Sequence, residues 1–128
     1  MAIIRSFREL NVYQAARAEA QKIYLRRRSF PAEEKYSLTD QIRRSSRAVK
    51  AMVVEAWARR RYRAVFINKI DEALGKATET QSWLDDCLDC SYISTEEFKQ
   101  MDAAWQGTGA MLNKMILRAD DFCETKND

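Results

Sequence analysis

Apolar residues recur at steps of three and four in four separate stretches of this chain. That spacing admits little except helices packed lengthwise against one another. One run is Leu38, Ile42, Ser45, Val49, Met52 and Ala56. A second is Phe66, Ile70, Ala73, Ala77, Thr80, Leu84 and Cys87, and a third is Phe98, Met101, Trp105, Thr108, Leu112, Met115, Ala119 and Phe122. A weaker run opens the chain with Leu10, Tyr13, Ala16, Ala20 and Ile23. Each run draws one stripe along a helix, suited to neighbours that cross at a shallow angle. The expected fold is all-α, an antiparallel up-and-down four-helix bundle forming a single domain over 1–128.

With 128 residues the chain is long enough to bury a core without disulfides or a structural metal. Only 3 Gly and 1 Pro are present, so helices should be long and their connections short. No stretch approaches the roughly 18 consecutive apolar residues of a membrane span. Met-Ala-Ile-Ile-Arg does not open like a signal peptide. A cytoplasmic protein with no membrane contact is expected.

The stripes take up most of the apolar residues and leave little sequence for an active site. There is no histidine, which removes the usual activators of serine and cysteine nucleophiles and the commonest metal ligand. Gly75, Gly107 and Gly109 each fall within a helical pattern and form no phosphate loop. Cys87 and Cys90 make a C-x-x-C, but with Cys123 as the third cysteine there is neither a second such pair nor an even count. They read as small apolar residues at a helix end. No catalytic residue, metal or cofactor is expected.

Serine–acid spacings mark the helix starts. Ser6 to Glu9 reads as a capping box opening a helix at Phe7 or Leu10 that runs to Arg27 and stops before Phe30-Pro31. Ser37 to Asp40 reads as a second box, opening a helix over 38–59, and Ser94 to Glu97 as a third, opening one over 95–123. A polar tail from Glu124 to Asp128 should fray. Between Trp57 and Phe66 no Gly, Pro, Ser or Asn intervenes, so a tight turn and a bent continuous helix both fit. The turn is favoured, with the next helix over 62–89, because one helix from 38 to 89 would leave three elements.

Charge divides by half. Residues 1–63 hold 16 Lys and Arg against six acids, formally +10, and residues 64–128 hold six against 13, formally −7. Arg43, Arg47 and Lys50 stand at i, i+4 and i+7 on one helix face, with Arg44 beside them and Arg59, Arg60, Arg61 and Arg63 at one end. Arginine-rich surfaces suit phosphate, because the guanidinium fork binds two oxygens and never loses its charge. These eight residues are the candidate nucleic-acid contacts. Arg26, Arg27 and Arg28 also suit a helix C-terminus, where the macrodipole favours cations. Asp85, Asp86 and Asp89 stand at such an end, where it disfavours acids. They therefore call for cations, either Arg26–Arg28 of the same bundle or the basic face of another subunit. These six residues are the candidate oligomer interface. Charge pairing, nucleic-acid contact and an acidic protein partner all remain open.

The block Phe30-Pro31-x-x-Glu34-x-Tyr36-x-Leu38-x-x-Gln41-Ile42-Arg43-Arg44 resembles the signature of a bacterial family of four-helix bundles. The family is named for proteins encoded within intervening sequences of large-subunit ribosomal RNA genes. Phe7-x-x-Leu10, Glu79-Thr80-x-x-Trp83-Leu84, Tyr92-Ile93-Ser94 and Met111-Leu112-x-x-Met115-Ile116 extend the likeness over nearly the whole chain. Where that family has Ser-Ile-Pro-x-Asn-Ile-x-Glu-Gly, this chain reads Ala48 to Ala56 and keeps only Glu55. Losing the proline and glycine should straighten this helix. The resemblance implies no enzymatic activity and a closed homo-oligomeric ring, a pentamer. Accessory proteins of diversity-generating retroelements are similar to the family, and they bind nucleic acid and a reverse transcriptase.

Two functions follow as expectations. In one, the protein is a non-enzymatic accessory that binds RNA or DNA, associated with ribosomal RNA or a retroelement. In the other, it is a scaffold oligomer whose charges serve self-assembly and a protein partner. Trp57, Trp83, Trp105, Tyr62, Tyr92 and Phe122 are divided between core and subunit contact, with one or two expected in an interface.

Overall fold

A computed structural model describes residues 3–124. It contains α1 (Asn11–Arg26), α2 (Leu38–Ala58), α3 (Arg63–Asp89) and α4 (Thr95–Leu117), with no strand among the described residues. The helices alternate in direction, so the bundle is up-down-up-down. Short 3-10 turns at Phe7–Glu9, Arg27–Ser29, Ala32–Glu34 and Ala119–Asp121 accompany them. α3, the longest at 27 residues and about 40 Å, packs extensively on both α2 and α4, while α1 and α4 meet least among neighbouring helices.

The stripes form most of the core, although Phe98, Met101 and Phe122 of the third run are only half-buried. All seven stripe residues of α3 are buried, as are all five of the opening run, Leu10 just before α1 and four within it. Phe66 and Trp105 are the largest side chains fully inside. α2 buries a broader band than one stripe, adding Ser46 and Val53 while Met52 stays half-buried. The buried hydroxyls of Ser45 and Thr80 lie 2.9 Å apart across the α2–α3 seam. Thr80 and Thr108 also donate to carbonyls one turn back, so their burial leaves no donor unmet.

Only one of the three expected capping boxes forms. Ser94 accepts from the Glu97 N–H at 3.1 Å, and Glu97 accepts from the Ser94 N–H at 3.0 Å. At the first, Ser6 accepts from Arg8 and the Glu9 carboxylate accepts from the Arg5 N–H. That arrangement caps the 3-10 turn alone. Leu10 is extended (φ −67°, ψ 126°) and interrupts the ladder, so α1 starts at Asn11 rather than Phe7. At the second, the Ser37 hydroxyl donates to Glu34 at 2.6 Å, and Asp40 is held by Arg43 and Arg44. Neither side chain is left to cap α2.

The α2–α3 junction is a turn without glycine. The Arg59 N–H reaches the carbonyls of Glu55 and Ala56, and the Tyr62 N–H returns to Arg59. α4 ends at Leu117, six residues before the expected Cys123. The chain bends there so that Phe122 can stack on Phe66 at 5.9 Å and the Glu124 N–H can bond the Arg60 carbonyl. The tail expected to fray, beyond Glu124, lies outside the described residues.

α1 and α4 are joined by a polar clamp. Arg26 meets both oxygens of Glu97, at 2.6 and 3.2 Å, and also donates to the Tyr92 carbonyl and the Ser29 hydroxyl. Because Glu97 is also the cap of α4, the Arg26 bond, with help from the cap, brings its carboxyl down to about 2. α3 closes with Ser91 in the left-handed region at φ 61°, while the Tyr92 N–H bonds the Cys87 carbonyl.

Three stability outcomes follow. Phe66→Ala should lower unfolding free energy by about 3–5 kcal/mol in urea titration. Ser91→Gly should raise it by up to about 1 kcal/mol, since glycine takes positive φ without the Cβ clash. Glu97→Gln keeps the cap acceptor but loses the charge. The native carboxyl titrates below its ordinary 4.5, so the charge stabilises the fold above that pH. The gap between wild type and variant, up to about 1 kcal/mol at neutral pH, should therefore close as pH falls from 4.5 towards 2. Urea midpoints at pH 7 and pH 3 check this, and an unchanged gap would count against the clamp.

Candidate nucleic-acid interface

The basic ridge of α2 lies on the side facing solvent beside α1. Arg43 is 2.8 Å from Asp40 and Arg44 is 3.6 Å from the same carboxylate. The Arg43 hydrogen bond leads in holding that carboxyl below its usual range. Two guanidiniums on one acid still leave net positive charge at this end of α2. Arg47 is exposed and Lys50 half-buried, and neither has an ion-pair partner among the described residues.

α1 supplies Tyr24, half-buried on the same face, which the sequence reading passed over. Its ring carries Arg27 at 4.1 Å, Arg47 at 4.6 Å and Arg28 at 5.8 Å. The structure thus unites Arg47, expected to contact nucleic acid, with Arg27 and Arg28, expected at a subunit interface. A signal was present, because Tyr24 stands at i−3 and i−4 from Arg27 and Arg28. Contact with α2 was not visible in spacing.

The arginines at the other end of α2 divide. Arg43 and Arg59 are separated by about 24 Å of helix, so the two groups do not form one cluster. Arg60 lies 3.9 Å over Trp57, donates to the Trp57 carbonyl and pairs with Glu124 at 3.6 Å. Arg63 pairs with Asp120 at 2.7 Å. These two hold the segment after α4 to the α2–α3 turn. Arg59 and Arg61 are exposed and make no ion pair among the described residues.

The expectation that Arg26–Arg28 would neutralise Asp85, Asp86 and Asp89 within the bundle is not met. Arg26 goes to Glu97, which its own cap has already fixed at the adjoining end of α4. Arg27 and Arg28 turn to Tyr24. The three aspartates are exposed and have no ion pair among the described residues. Nearby, the Tyr92 hydroxyl donates to Glu34 at 2.8 Å, which pushes the phenol well above its usual range.

The two cysteines of the C-x-x-C differ in setting. Cys87 sits in the core, where burial pushes its thiol up to about 12, whereas Cys90 is exposed. No group of three metal-ligating side chains gathers among the described residues. No helix there is long and apolar enough to cross a membrane. Of the tryptophans, Trp105 is fully buried, and Trp83 is half-buried with its indole N–H on Glu79. Trp57 lines a groove of about 820 Å³ at one end of the bundle, where the segment before α1 meets the ends of α2 and α4, with Ile4, Met111 and Phe122 and also Arg60, Lys114 and Arg118 lining it.

No curated protein matches the chain. A solved structure is similar, that of a protein with unknown function from the S23 ribosomal protein family of Bacteroides thetaiotaomicron VPI-5482. The TM-score is 0.75 at 27% identity, over 83% of this chain and 95% of that one. The sequence model of the 23S rRNA-intervening sequence protein family matches residues 8–114. The chain belongs to that family.

Proposed function

We propose that this is a non-enzymatic, oligomeric accessory protein that binds nucleic acid, associated with ribosomal RNA or a retroelement, through the exposed cations of the α1–α2 face and of the α2–α3 turn. The observation that carries the reading is that Arg28, Arg47 and Lys50 share this face with no carboxylate partner among the described residues. Arginines already consumed by the bundle, such as Arg26, would be spent as structure. These remain available to phosphate oxygens. The family's association with ribosomal RNA intervening sequences supports the same reading.

Assembly is the second part of the proposal. The α1–α4 seam is the smallest contact between neighbouring helices, a groove with apolar lining opens at the bundle end beside it, and Leu117 and Met111 stand exposed along α4. Asp85, Asp86 and Asp89 offer unpaired acids to a basic neighbour. A ring of copies, a pentamer on the family likeness, would cover such a seam and repeat the basic face around its circumference. The scaffold reading keeps the assembly and assigns the arginines to a protein partner.

A salt titration separates these readings. Binding to a duplex should weaken steeply with salt, with a log–log slope of about −0.9 per phosphate contacted. Lys50→Gln, and separately Arg59→Ala with Arg61→Ala, should flatten that slope by about one unit per cation removed, without altering sequence preference. Undetectable binding at low salt, with an oligomer seen by light scattering, would leave the scaffold reading.

A further inference from the structure

We propose that Arg27, Arg28 and Arg47, gathered around Tyr24, form a seat for one phosphoryl group of a nucleic acid. The inference rests on the nucleic-acid reading above and adds where on the α1–α2 face a phosphate is gripped. Three guanidiniums stand within 6 Å of one ring centre, at 4.1, 4.6 and 5.8 Å. Like charges so close repel one another, and no carboxylate among the described residues forms an ion pair with any of them. Of the acids on the adjoining elements, exposed Glu33 forms no ion pair among the described residues, and three others are already occupied. Asp40 holds Arg43 and Arg44, Glu19 holds Lys22, and Glu34 takes the hydroxyls of Ser37 and Tyr92.

The second observation is an unmet donor. The Nε of Arg27 is buried and has no hydrogen-bond acceptor among the described residues. A buried donor without an acceptor is costly, and an anionic oxygen would both satisfy it and relieve the repulsion. Tyr24 supplies the geometry, since guanidiniums stacked on a ring are held in place before a ligand arrives and lose less freedom on binding. The field of the cluster is visible in the phenol itself, which the Arg27 charge holds below its usual range. Phosphate fits better than a lone carboxylate, because three forks can share its several oxygens and its charge.

The test uses the whole protein and a fluorescent 20-nucleotide duplex, made with a 5′-phosphate or a 5′-hydroxyl, titrated at several salt concentrations. Arg47→Gln, an exposed position that folding tolerates, and Arg27→Gln should each flatten the salt slope by about one unit. Tyr24→Leu should weaken binding and leave the slope unchanged, because it removes the support and keeps the charges. In ¹⁵N spectra, the Arg27 Nε–H signal should shift on adding the duplex. A loss confined to the 5′-hydroxyl form would place a terminal phosphate in the seat, and equal binding of both forms an internal one.

Wild-type slopes in Arg27→Gln and Arg47→Gln, with binding lost in the Arg59, Arg61 variant, would overturn the seat and leave the nucleic-acid reading standing. No binding by the wild type would overturn both. If Arg47→Gln instead lowered the oligomeric mass while the slope held, the seat would belong to a neighbouring subunit's carboxylate, and the inference would fail.

Discussion

Seven side chains of α3, from Phe66 to Cys87, are buried along a single line, and the rest of the bundle is arranged around that line. Their sizes alternate in a way that matters. Phe66, Ile70 and Leu84 fill space, whereas Ala73, Ala77 and Thr80 let neighbouring backbones come close. Interaxial distance follows the side chains at the contact, so α2 and α4 can both lie along α3. α1, with two alanines in its own short stripe, completes the fourth side and leaves the thinnest seam against α4.

A core this apolar sends every charge to the surface, and there local competition decides partners. Arg26 shows the rule. Glu97 is pinned by the Ser94 N–H, so the pair with Arg26 forms with little loss of freedom and joins the two neighbouring helices that touch least. Arg60 and Arg63 do comparable work at the opposite end, holding Glu124 and Asp120. Lys22, Arg43 and Arg44 share two acids of their own helices, whereas Arg47 and Lys50 have no ion pair among the described residues. This is why the basic side of the bundle stays basic after folding, and why the aspartates near the end of α3 stay acidic. The two proposed roles, phosphate contact and assembly, draw on these separate surfaces.

Capping shows how sequence signals fail when other groups compete. Three serines each precede an acid by three residues, but only Ser94 and Glu97 close a box. Ser37 is taken by Glu34, a residue of the preceding turn, and Glu9 is taken by the Arg5 N–H. In both cases the serine lies within a few residues of a helix start. The bonds that make the boundary are different. Losing its regular ladder at Leu117 likewise costs α4 little, because Phe122 gains Phe66 as a stacking partner.

The periodicity of apolar residues was enough to establish four antiparallel helices, because burial of a stripe is a property that each helix carries in its own sequence. The sign of each half of the chain was also legible, since charge needs no partner to be counted. Which arginine meets which acid was not legible. Arg26, Arg27 and Arg28 are consecutive, yet the helical turn of about 100° per residue aims them differently, one at Glu97 and two at Tyr24. Arg47 joins them from the next helix, 23 positions beyond Tyr24 in the sequence. Only the packing of α1 on α2 and α4 decides those encounters, because they depend on the distance between helices, which no single stripe contains.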